Sequence, residues 1–244
     1  MRFVEYGNPK LPTIMLVHDI GLSYWAYADI KEELAKEYHV VLPILDGIDE
    51  EFQSIEDEAN KIMMFIHNKC DGHVYALGGL AFGAKIVLEV LSKNSNIASY
   101  AIIESVDLYP TKGLSSLAPK VALSISNLTK YRWFTSRQAA ATGLPKELNT
   151  RYHETLKSIS SVSFEHYIEE EYKFTLPPTL KNTSARTLII FGEKEPHNTR
   201  LSARLINETI PYSQMYQILG MTHGQFSLQH PHHYVRLLKR LFRN

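Results

Sequence analysis

The sequence predicts an α/β protein: a doubly wound, mostly parallel sheet flanked by helices, with a helical cap insertion. Three observations carry this expectation. Short apolar runs alternate along the chain with segments of helical periodicity, the order that builds parallel sheets through crossover helices. Runs such as Thr13-Ile14-Met15-Leu16-Val17 are continuously apolar, as in strands buried on both faces. Between about Pro110 and Lys181 that rhythm stops, and aromatic-rich helical pieces replace it.

Taken in order, Phe3 to Tyr6 reads as an edge strand closed by Gly7-Asn8-Pro9. Thr13–Val17 is the next strand and ends in His18-Asp19-Ile20-Gly21-Leu22-Ser23. Trp25 to Tyr38 is helical in pattern, with Trp25 and Tyr27 as core or pocket-wall residues, and His39 to Pro43 is a strand. Ser54-Ile55-Glu56-Asp57 has the form of a capping box opening a helix that runs to about Asn68. From Val74 an apolar run breaks at Gly78-Gly79 and resumes at helical spacing with Ile86, Val87, Val90 and Leu91, which is strand, sharp turn and helix. Tyr100 to Glu104 is a further strand. Residues 110–181, closed by Pro177-Pro178, form the cap, so that 1–109 and 182–244 make up the core. Thr187–Phe191 and Met215–Leu219 are the late strands, with a helix around Thr199 to Ile210 between them and a last helix from His233 to Phe242.

Composition bounds the function. A chain of 244 residues with 44% hydrophobic residues can bury one large core. Its net charge of +0 supplies no global field for nucleic acid or an anionic membrane, so neither is expected as a partner. The lone Cys70 cannot form an internal disulfide, Met1–Tyr6 lacks an apolar leader, and no stretch approaches a membrane span. A soluble, cytoplasmic protein is expected; the oligomeric state is not legible.

The stretch Gly79-Leu80-Ala81-Phe82-Gly83 has the frame of a nucleophile elbow, G-x-S-x-G, with alanine in the serine position. The frame has a mechanical reason: the central residue is strained so that its side chain projects above the sheet, and small residues on either side let helix and strand approach. Further landmarks follow in order: the early His18 loop, the acid-bearing turn Gly192-Glu193-Lys194-Glu195, and Gly220-Met221-Thr222-His223-Gly224. Each lies at the carboxyl end of an expected strand, where open α/β sheets bind ligands.

On these landmarks the chain resembles the α/β-hydrolases over nearly its whole length. The resemblance implies His223 as general base and Glu195 as the acid that orients it, with Glu104 as the alternative acid. It places oxyanion donors at the backbone N–H groups of Ile20 and Phe82. It implies acyl transfer to water through an acyl-serine, in a parent form with serine at position 81, acting on a small or medium carboxylic ester or related acyl compound. No cofactor and no metal is implied. Asp19 departs from the family's pattern, standing where a glycine is usual.

Other features carry less. His230, His232 and His233 have no acidic or thiol partner at ligand spacing. Glu169-Glu170-Glu171 reads as a solvated helix face, and Gly78-Gly79 with Gly83 lacks the dinucleotide-loop spacing. From Leu108 to Lys146 the chain has Lys112, Lys120, Lys130, Arg132, Arg137 and Lys146 but no acid. That run is either a solvated basic face or a pocket mouth favouring anions. Three functional readings stay open: a serine hydrolase scaffold inactivated at Ala81, a natural non-catalytic ligand-binding or interaction protein, and a His–acid lyase or oxygenase that needs no nucleophile.

Overall fold

The computed structural model describes residues 1–109 and 124–243. Its strands are β1 (Arg2–Tyr6), β2 (Thr13–Val17), β3 (His39–Ile44), β4 (Val74–Leu80), β5 (Ala98–Glu104), β6 (Arg186–Gly192) and β7 (Ser213–Ile218). They form one 7-stranded sheet in the order β1-β3-β2-β4-β5-β6-β7. Only β1 pairs antiparallel, with Val4 opposite Leu42; the other neighbours are parallel.

Alternation along each central strand feeds two cores. Met15, Val17, Leu77, Ala101, Ile103 and Ile189 meet α2 (Ile55–Lys69), α3 (Phe82–Lys93) and the helix His197–Thr209 on one face. Ile14, Leu16, Ala76, Ile102, Leu188 and Ile190 meet α1 (Ala28–Leu34) and the last helix, Pro231–Leu241, on the other. The period of two explains how continuously apolar strands serve both faces.

Local chemistry sets the helix ends. Ser54 Oγ accepts from Asp57 N at 3.1 Å, as a cap should. The box is not closed by Asp57, whose carboxylate instead pairs with Lys61 at 2.6 Å, while Glu170 Oε2 takes the Ile55 N–H at 2.9 Å. The helix expected from Trp25 to Tyr38 is shorter and broken. A 3-10 turn at Tyr24–Tyr27 precedes α1, because the Tyr27 hydroxyl is anchored to the Val17 carbonyl at 3.1 Å. A short helix at Gln225–Gln229 was not legible in sequence, and the last helix begins at Pro231 rather than His233.

Between β5 and β6 the described residues carry the helices Arg132–Ala141, Asn149–Ser158 and Ser161–Lys173 and no strand. The expected start of the cap at residue 110 lies outside the described residues. Ala139, Leu144, Tyr152, Leu156 and Phe164 from this insertion pack with Leu22, Trp25, Leu80 and Ala81 at the carboxyl ends of the strands. The reading of Glu169-Glu170-Glu171 as a solvated face is corrected. Glu169 pairs with Lys173 one turn away, but Glu170 caps α2 and Glu171 meets Lys85 of α3 at 2.7 Å. The partners lie about a hundred positions away or more, so local pattern could not reveal them. Among the described residues, no helix is long and apolar enough to cross a membrane.

Candidate active site

The elbow has the geometry its glycines permit. Ala81, between β4 and α3, sits at φ 50° and ψ −109°, a region that residues with a Cβ rarely occupy. The surroundings force it. A Cβ on Gly79 would strike the Gly83 backbone and come within 2.6 Å of Ala84 N. One on Gly83 would land on the carbonyls of Val17 and His18. Both positions therefore require glycine, and α3 sits against β4 and β2 with no intervening side chain. Ala81 is 8% exposed and lines a cavity of about 240 Å³ shared with Ile20, Phe82, Tyr152, Phe164 and His223.

Glu195 and His223 meet in this cavity wall. The His223 Nδ1–H donates to Glu195 Oε2 at 3.2 Å, and its Nε2 makes no hydrogen bond among the described residues. Glu195 Oε1 accepts from Gly192 N at 2.7 Å and from the Ser105 hydroxyl at 2.8 Å. The same Ser105 oxygen accepts from Gly224 N at 3.0 Å, so one hydroxyl ties the acid turn to the histidine loop. Ser105 has φ 54°, a strained conformation directly after β5. Sequence reasoning missed it, although a polar residue at the carboxyl end of a buried strand was a usable signal.

Glu104 is placed differently. It is 1% exposed, with Oε1 accepting from Ser227 N at 3.2 Å and Oε2 without a hydrogen-bond partner among the described residues. Burial raises its pKa to about 8, so it is neutral at pH 7. It makes no hydrogen bond to His223; of the two candidate acids only Glu195 does. Burial pushes the His223 pKa down, but the Glu195 hydrogen bond and the charges of Asp19 and Glu195 outweigh it and set the value at about 8.

Asp19 is the unexpected member. Its Oδ1 accepts from Phe82 N at 3.1 Å, and the Ile20 N–H favours the same carboxylate. The two backbone groups expected as oxyanion donors thus face an anion belonging to the chain itself. Burial raises the Asp19 pKa, opposed by the His223 charge and these N–H groups. Its backbone is not in the left-handed region; Gly21 takes that role at φ 77°. His18 is a strut. Its Nδ1–H donates to the Asp19 carbonyl at 2.8 Å, its Nε2 accepts from Leu45 N at 3.3 Å, and burial lowers its pKa to about 4.

The remaining candidates lie elsewhere. Lys130, Arg132, Arg137 and Lys146 are exposed and none lines the Ala81 cavity, as a solvated basic face requires. Lys112 and Lys120 lie outside the described residues. His232 pairs with Glu33 at 2.9 Å, and His230 stacks on His233. Asp46, Asp57 and Glu58 are close enough together to hold a cation, but the Lys61 ammonium already pairs with all of them.

Neither a protein-family model nor a curated protein matches the sequence. Solved structures match over almost its whole length. A thermophilic esterase from Thermogutta terrifontis is 17% identical with a TM-score of 0.81, covering 99% of this chain and 92% of the esterase. MenH from S. aureus is 17% identical with a TM-score of 0.79, covering 99% and 97%. A hydrolase from Pseudomonas aeruginosa reaches a TM-score of 0.83 at 11% identity, covering 99% and 94%. At such identities the likeness is one of architecture. With this sheet order, the positive-φ elbow after β4 and a helical insertion over the strand ends, the chain has the α/β-hydrolase fold.

Proposed function

We propose that the cavity over Ala81 is the acyl-compound pocket of a serine-hydrolase scaffold. In this chain it binds small or medium carboxylic esters or related acyl compounds without turning them over through an acyl-enzyme. The reading rests on one juxtaposition: an elbow residue held at φ 50° lines the same cavity as a histidine bonded to a buried carboxylate. With a hydroxyl at position 81, His223 Nε2 would take its proton while Glu195 held the ring in the needed tautomer. Alanine leaves no atom to acylate, so positioning alone is left.

A second reading, a natural ligand-binding protein on this fold, is favoured by Asp19. Its carboxylate occupies the Phe82 N–H at 3.1 Å, and a tetrahedral oxyanion needs that donor free.

The test is calorimetric binding of non-hydrolysable acyl analogues together with fluorophosphonate labelling of the chain and of Ala81→Ser. Binding without labelling in the chain, and labelling gained by Ala81→Ser, support the first reading. A folded Ala81→Ser protein that stays unlabelled even when combined with Asp19→Ala overturns it in favour of the second. Absence of binding by any acyl analogue removes the first reading.

A further inference from the structure

We propose that the ligand of the Ala81 cavity carries a positive charge: a small ester or acyl compound bearing an ammonium group. This rests on the pocket reading above and adds the ligand's charge. Asp19, Asp107 and Glu171 all line the cavity, and His223 is the one basic side chain lining it among the described residues. Glu171 is neutralised by Lys85, and His223 by Glu195. Asp19 and Asp107 are left without an ion-pair partner among the described residues. Among the described residues Asp107 accepts the Tyr109 N–H, at 2.8 Å, and Asp19 the Phe82 N–H, at 3.1 Å.

Charge placement then inverts what acyl transfer needs. In a hydrolase the elbow N–H groups wait for a negative charge that develops on the substrate. Here that charge is resident on Asp19, half-buried beside Ala81, so an anionic ligand meets repulsion where it would expect donors. A cation gains instead, since attraction grows as solvent is excluded. The walls suit it, because Tyr152 and Phe164 are 7% and 5% exposed and line the cavity with aromatic rings that attract ammonium groups. At about 240 Å³ the cavity is below the range of about 300–1,000 Å³ for drug-sized ligands, which limits the cation to a compact one. Among the described residues of the insertion, Lys130, Arg132, Arg137 and Lys146 are exposed and none lines the cavity.

Matched probes separate this from a pocket indifferent to charge. Acetylcholine, its neutral isostere 3,3-dimethylbutyl acetate and the carboxylate-bearing monomethyl succinate are titrated into the unmodified chain by calorimetry, at low and high salt. Acetylcholine is expected to bind at least about tenfold more tightly than the isostere, with monomethyl succinate weakest and the gap narrowing in salt. Asp19→Asn keeps the side-chain shape and should bring the cationic-to-neutral ratio to within about threefold. Equal affinity for the cationic and neutral probes, or preference for the anion, overturns the inference while leaving the acyl pocket standing. A cationic preference that Asp19→Asn and Asp107→Asn both leave untouched also overturns it. Binding of none of the probes overturns this inference and the pocket reading together.

Discussion

Restoring a hydroxyl at position 81 should not by itself restore a working hydrolase, and the shortfall can be worked from the structure. Ala81→Ser supplies the missing Oγ on a backbone already in the strained elbow conformation. Two obstacles remain, both due to Asp19. Its Oδ1 sits 3.1 Å from Phe82 N, and loss of one oxyanion donor typically costs about 10²–10³ in kcat. Its charge also helps hold His223 at about 8, so that only about one-tenth of the base is neutral at pH 7. Adding Asp19→Ala removes the first and eases the second, since the Glu195 hydrogen bond to His223 remains, and alanine is tolerated because residue 19 is not in the left-handed region. The double variant is expected to exceed Ala81→Ser by about 10²–10³-fold at pH 7. Raising the pH to 9 should recover only the part due to His223. In the single variant kcat/KM should rise through about pH 8 as the base loses its proton, and in the double variant that limb should move to lower pH. The assay is kcat/KM on a short nitrophenyl ester from pH 6 to 9, with fluorophosphonate labelling rates alongside. A single variant within threefold of the double, or an acid limb that Asp19→Ala leaves in place, would refute the reasoning.

Further outcomes follow from the same contacts. In the Ala81→Ser/Asp19→Ala background, Glu195→Gln should lower kcat by about 10⁴, and Glu104→Gln by less than about tenfold; the reverse ranking moves the acid to Glu104. Glu104 is a carboxyl whose folded pKa, about 8, lies above its unfolded value. Stability on its account is present below the unfolded pKa and lost as pH rises from there to 8. Glu104→Gln should therefore raise Tm by several degrees at pH 8 and leave it nearly unchanged at pH 4, and an equal shift at both would show that Glu104 does not titrate in this way. Gly83→Ala should destabilise by about 3 kcal/mol or more, read as a lower denaturant midpoint, since its Cβ meets backbone that cannot step aside. A midpoint within error of the parent would mean that α3 packs more loosely against β2 than described.

What the sequence made legible depended on how far each feature's cause extends along the chain. Ser54 capping α2 and the glycines around Ala81 are local: the residues that set the conformation lie within a few positions of it. Continuous apolar runs identified the buried strands because both faces of the sheet are covered. Glu195 and His223 could be named from landmark order, but order says nothing about distance, so Glu104, one strand away, stood as the alternative acid. Asp19 shows the limit most clearly. Its departure from glycine was visible, but the carboxylate's approach to Phe82, across 63 positions, follows from how the early loop packs under the elbow helix. Ser105 and the Glu171–Lys85 pair were hidden for the same reason, as was the helix break at Tyr27, which a buried hydroxyl imposes from the neighbouring strand.

The Glu171–Lys85 contact joins two things usually treated apart. Glu171 lines the cavity, while Lys85, at 1% exposure, lies one turn into α3 from Ala81. A ligand that draws the Glu171 carboxylate toward itself leaves a buried ammonium, among the described residues, with the Glu171 carbonyl 3.1 Å away and the Phe174 ring at 5.9 Å. The insertion must then shift with the ligand or the helix must yield. Were a ligand to draw Glu171 away in this manner, occupancy of the cavity and the seating of the elbow helix would be linked free energies, each biasing the other to the same degree. The insertion over the strand ends and the helix beneath it are tied together through this buried ion pair.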